Sequence, residues 1–93
     1  MKEIHIHQQI SVPSGATSYV DVSNAEGTIV RLSPASLTTG RANIRIGAFG
    51  LFGGAREVAA NAVAKLRAAG VPCKREAGEI VIPRANISNI TLA

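Results

Sequence analysis

Aromatic side chains are nearly missing from this chain: its 93 residues include no Trp, one Tyr (Tyr19) and two Phe (Phe49 and Phe52). A core must then be assembled from Ile, Val, Leu and Ala. Such a core is thin for a domain near the lower size limit of independent folding, so a partner or a second copy (a homodimer) is an expected support. Cysteine occurs once, at Cys73, which excludes an internal disulfide and with it the usual framework of a small secreted domain. No apolar run approaches the roughly 20 residues of a membrane-spanning helix. Met1-Lys2-Glu3 leads directly into alternating polar and apolar residues, without the apolar stretch of a signal peptide. A cytoplasmic protein with no membrane contact is the expectation. The sequons Asn86-Ile-Ser88 and Asn89-Ile-Thr91 then carry no glycosylation meaning. Neither sign of charge dominates: ten Lys or Arg against six Asp or Glu leave +4. That balance favours an acidic partner but falls short of the dense basic stripe of a dedicated nucleic-acid binder.

What is present is regular patterning over a chain that is 46% hydrophobic, which points to one globular domain spanning residues 1–93. From Lys2 to Val12 the apolar residues Ile4, Ile6, Ile10 and Val12 alternate with Glu3, His5, His7, Gln9 and Ser11, the signature of a half-buried strand. Pro13-Ser14-Gly15 ends it. Thr17–Ser23 repeats the pattern with Val20 and Val22 inward and Tyr19 and Asp21 outward, and Asn24-Ala25-Glu26-Gly27 reads as a hairpin loop. Thr28–Ser33 buries Val30 and Leu32 and exposes Arg31. Pro34–Gly40 is a looser connection with room for one helical turn. Ala42–Ala48 alternates again, with Ala42, Ile44, Ile46 and Ala48 inward and Asn43, Arg45 and Gly47 outward.

One helix is expected, from Ala55 to Ala69. At about 100° per residue, Ala55, Val58, Ala59, Ala62, Val63, Leu66 and Ala69 share an arc, opposite Arg56, Glu57, Asn61, Lys65 and Arg67. Gly70 fits the C′ position and Pro72 forbids continuation. Val71–Arg75, a turn at Ala77-Gly78, Glu79–Pro83 and Ile87–Leu92 supply further extended segments, with Pro83 suggesting an edge position. The predicted architecture is α+β: an antiparallel sheet of four to six strands, one amphipathic helix on one face, in the order ββββαβ(β).

The glycine-rich loop Gly47–Gly54, with Phe49, Leu51 and Phe52 inside it and Arg56 just beyond, is the most unusual stretch. Glycine loops entering a helix can cradle phosphate, but the spacing here matches neither the phosphate-binding P-loop nor the dinucleotide fingerprint. Either the rings fold back into the core, or they anchor a protein contact beside Arg56. His5 and His7 share a strand face without a third metal ligand in view, and Cys73 has no assignable base. No catalytic, cofactor or metal signature emerges, so an enzyme is not expected. Gly50-Leu51-Phe52-Gly53 is similar to the Gly-x-x-Gly of a KH domain, although that loop joins two helices and this one follows a strand. The run Arg56–Leu66 resembles the last helix of a double-stranded RNA-binding domain, but lacks the paired lysines at its start and the preceding helix. Neither membership is claimed.

Two functions remain. The first is a non-enzymatic binder of another protein or a ribonucleoprotein complex, anchored by Phe49, Leu51, Phe52 and Arg56. In size and sheet-plus-helix character such a chain is similar to accessory proteins of phages and mobile elements, including CRISPR–Cas inhibitors, and that likeness implies a stoichiometric inhibitor. The second is a nucleic-acid-binding module. It would use Arg31 and Arg45, expected on one sheet face with His5, His7 and Tyr19, together with Lys65, Arg67, Lys74 and Arg75 around the helix end.

Overall fold

In the computed structural model, residues 3–10, 18–33, 35–47 and 53–92 are described. Their elements run β1 (His5–Ile10), β2 (Ser18–Asn24), β3 (Gly27–Leu32), β4 (Ser36–Thr39), β5 (Asn43–Gly47), α1 (Gly53–Ala68), β6 (Lys74–Glu76), β7 (Glu79–Pro83) and β8 (Asn89–Leu92), with one 3-10 turn at Arg84–Asn86. The class is α+β, and the succession of strands, one helix and further strands follows the expected order. The strands divide between two four-stranded sheets, in the spatial orders β3-β2-β1-β8 and β4-β5-β7-β6. All pairings are antiparallel except β1 with β8, which is parallel.

Alternation explains the division. Ile4, Ile6, Val20, Val22, Val30 and Leu32 turn one face of the first sheet inward, and Ile44, Ile46, Ile80 and Ile82 do the same for the second. These side chains join Ala62, Val63, Leu66 and Val71 in one hydrophobic cluster. Two inner faces of short aliphatic residues are satisfied by facing a shared core, whereas one long sheet would leave part of its apolar face to a single Ala-rich helix. Helix α1 touches β3 of the first sheet and β6 and β7 of the second. The chain crosses between sheets at Ala35, whose N–H donates to Ser18 O at 3.1 Å while Ser18 Oγ donates to Ala35 O at 2.6 Å.

Several details differ from the sequence expectation. Pro34–Gly40 contains strand β4, not a helical turn, because Ser36–Thr39 pairs with Asn43–Gly47 in a hairpin. Strand β7 is interior; Pro83 is accommodated because β6 stops pairing at Val81, two residues earlier, and Pro83 faces only Asn43. The buried stripe of α1 is Ala59, Ala62, Val63 and Leu66, while Ala55 is exposed and Val58 is 50% exposed. The helix lies along the edge strand β3, so the flank of its apolar arc has no sheet beneath it.

The expected helix stop is realised in detail. The Val71 N–H donates to Leu66 O at 2.9 Å and the Gly70 N–H to Arg67 O at 3.0 Å, the paired bonds of a Schellman motif. Gly70 takes φ 86° at C′, and Leu66 and Val71 are both buried across the motif. In the β2–β3 hairpin, Asn24 Oδ1 accepts from the N–H groups of Glu26 and Gly27 at 2.9 and 3.1 Å. The register advances by one on β3 between Val22 and Ser23, leaving Ile29 as the extra residue of a bulge.

Candidate functional site

The outer face of the first sheet gathers imidazole, aromatic and charged side chains from three strands. Strand β2 is interior to that sheet, and the registers His7↔Asp21, Gln9↔Tyr19 and Asp21↔Arg31 place residues from β1, β2 and β3 on one surface. His5, His7 and Tyr19 share this face, as the alternation predicts. The parallel partner β8 adds Asn89 opposite His5 and Thr91 opposite His7.

Arg31 and Tyr19 form the centre. Arg31 Nε donates to Asp21 Oδ1 at 2.7 Å and Nη2 to Oδ2 at 2.8 Å, a bidentate fork. The guanidinium carbon lies 4.2 Å from the centroid of the Tyr19 ring, within cation–π range. The Tyr19 hydroxyl donates to Gln9 Oε1 at 2.7 Å, and the His7 ring sits 6.3 Å away, tilted by 52°. Asp21 is the buried member, with its side chain 12% exposed against 58% for Arg31. The Asp21 hydrogen bond raises the guanidinium pKa above its already high value, so Arg31 keeps its charge at any working pH. A short carboxylate near the sheet thus holds a long, largely exposed cation over an aromatic ring.

The predicted basic platform is divided. Arg45 lies in the other sheet, not beside Arg31, since β5 belongs to the second sheet. It pairs there with Glu76 and Glu79, each at 3.5 Å. Lys74 pairs with Glu76 at 3.5 Å. Arg67 turns back onto its own chain, donating from Nε and Nη2 to Cys73 O at 3.1 and 2.9 Å. Lys65 lines a groove between α1 and β3 with Ile29, Val58 and Asn61. Arg75 is exposed on β6. Of the predicted loop anchors, Phe49, Leu51 and Phe52 lie outside the described residues, and Arg56 is exposed on the first turns of α1.

Cys73 is buried, its Sγ 3.7 Å from Val63 O. Burial raises the thiol pKa, with nearby Arg67 opposing the shift. It borders a pocket of about 220 Å³ together with Asn43, Pro72, Lys74, Val81 and Pro83, and Lys74 is ion-paired with Glu76 at 3.5 Å. Among the described residues no three His, Cys, Asp or Glu side chains converge on a point, and no buried side-chain polar atom lacks a hydrogen bond. No described helix is long and apolar enough to cross a membrane.

The sequence pattern placed Tyr19 and Arg31 on one face but did not single out their pairing. The signal was available: Asp21 and Arg31 occupy facing outward positions in consecutive strands joined by a short hairpin, where opposite charges attract. Comparison with protein-family models, with curated proteins and with solved structures returns no match to this chain.

Proposed function

We propose that this chain is a non-enzymatic binding protein that acts by stoichiometric contact with another protein, the mode of action of small inhibitors. The observation that carries the reading is the preorganised Tyr19–Arg31 pair on the outer face of the first sheet. Tyr and Arg dominate the energetics of protein interfaces. Their contribution is largest when little side-chain freedom is lost on binding, and here Asp21 and Gln9 already hold both. A nucleic-acid surface is less well supported. Arg31, Arg45 and Lys74 are each matched by a carboxylate, and the six predicted cations are spread over two sheets and a helix.

The test is capture from the native host with the tagged chain, identifying bound protein and nucleic acid together. Tyr19→Ala and Arg31→Ala should each weaken capture of a protein partner by about tenfold or more, the range of interface hot spots. Phe52→Ala tests the loop in parallel. If it alone abolishes capture, the sheet face is the wrong surface. A captured nucleic acid whose affinity falls steeply with added salt would replace the protein reading altogether.

A further inference from the structure

Among the described residues each four-stranded sheet has two edge strands, and the four edges are not equally protected. Open edges invite pairing with another chain unless charge, a bulge or cover prevents it. Strand β6 consists of Lys74, Arg75 and Glu76, all exposed, so its edge is charged. Strand β3 is bulged at Ile29 and bears Arg31. Strand β4 (Ser36–Thr39) has no charge, but its one large apolar residue, Leu37, is already packed against the core. Strand β8 (Asn89–Leu92) has no charge, no bulge in its register with β1, and Leu92 exposed to 63%. Among the described residues only Val58 is a comparable exposed large hydrophobic.

We infer that β8 is the dimerisation edge of this protein, pairing antiparallel with β8 of a second copy across a two-fold axis. Self-pairing of a cationic chain needs a contact free of like charge, and β8 supplies one. Side-chain parity then sets the register. Asn89 and Thr91 lie on the outer face with His5 and His7, whereas Ile90 and Leu92 lie on the inner side with Ile6. Directly opposed residues in an antiparallel pair share a face. Within the four residues of β8 an axis at Asn89 or Leu92 keeps one facing pair, whereas an axis at Thr91 or at Ile90 keeps three. With the axis at Thr91, Leu92 faces Ile90 of the second copy and is covered; with the axis at Ile90, Leu92 lies beyond the pairing and stays exposed. The Thr91 register is selected. It joins the two first sheets into one of eight strands and sets both Tyr19–Arg31 pairs on a single continuous face. Four residues bury less than the ~1,600 Å² of a standard interface, so the dimer exchanges rapidly and is favoured at high concentration.

Sedimentation equilibrium from micromolar to millimolar protein measures this directly. The mass should rise from 9.6 kDa towards twice that value. Leu92→Asp should remain monomeric over the same range with an unchanged circular dichroism spectrum, as expected for a side chain already facing water. Thr91→Cys should give a covalent dimer under mild oxidation, because facing Cα atoms on the axis are within disulfide reach. Asn89→Cys should not, since two copies of position 89 would lie roughly 14 Å apart at about 3.4 Å per residue. A wild-type chain monomeric at millimolar concentration overturns the inference. So does a Leu92→Asp dimer, preferential cross-linking at position 89, or a mass growing beyond two copies.

Discussion

Asp21 and Arg31 face each other across the β2–β3 pair, and both carboxylate oxygens accept from the one guanidinium, at 2.7 and 2.8 Å. This contact turns two outward-facing residues into a fixed feature: Asp21 anchors, Arg31 lies over Tyr19, and Gln9 orients the phenol.

If that anchoring matters for binding, Asp21→Asn should reproduce much of the loss seen with Arg31→Ala while leaving the fold intact. The neutral amide keeps the shape but can no longer hold the cation by two charge-assisted bonds. Affinity for a captured partner, read beside a circular dichroism melt of each variant, separates binding from folding. Equal affinity of Asp21→Asn and wild type would show that preorganisation contributes nothing. A raised Arg31 pKa gives stability that is complete below its ordinary value and fades only at more alkaline pH, so the pair should add no pH dependence near neutrality.

Leu66 is fully buried where the helix meets both sheets and sits at the C3 position of the Schellman motif. Leu66→Ala should cost about 2–5 kcal/mol, a large share of the ~5–14 kcal/mol expected for a domain of this length. Urea unfolding followed by circular dichroism checks it. Val58→Ala, at a half-exposed position on the same helix, should cost far less.

The β6–β7 hairpin turns through Ala77 at φ 48° and Gly78 at φ 79°, both left-handed. Such a two-residue turn favours Asn-Gly, and Ala in that region is strained by about 1–2 kcal/mol. Ala77→Asn should therefore stabilise the protein by roughly 1 kcal/mol. An unchanged or lowered urea midpoint would contradict the turn assignment.

Cys73 should be silent towards a disulfide reagent in the folded state and react fully once the chain is unfolded in urea. Its raised pKa means that the neutral thiol is the folded form. The associated stability is complete below the ordinary thiol range and is lost as pH climbs through the folded value. Cys73→Ala should flatten that alkaline slope in a series of melts.

Read alone, the sequence determined the apolar face of β1, β2, β3 and the centre of β5. It did not do so at Ala42, which is exposed, at Gly47, which is buried, or in β7, where Val81 is buried on the face opposite Ile80 and Ile82. Ile4, Ile6, Val20, Val22, Val30, Leu32, Ile44 and Ile46 are all buried as alternation requires, because a period of two leaves a side chain no other place to go. It also determined where α1 ends, since Gly70 and Pro72 act through local backbone geometry. Which strands become neighbours was decided only in three dimensions. That choice put Arg31 beside Tyr19 but Arg45 beside Glu76 and Glu79, placed β7 inside a sheet despite Pro83, and left Val58 over a groove. Alternation states which way a side chain points but not whose side chain it meets. Pairing depends on how two apolar faces and one helix enclose a shared volume, a property of the whole chain that no short stretch carries.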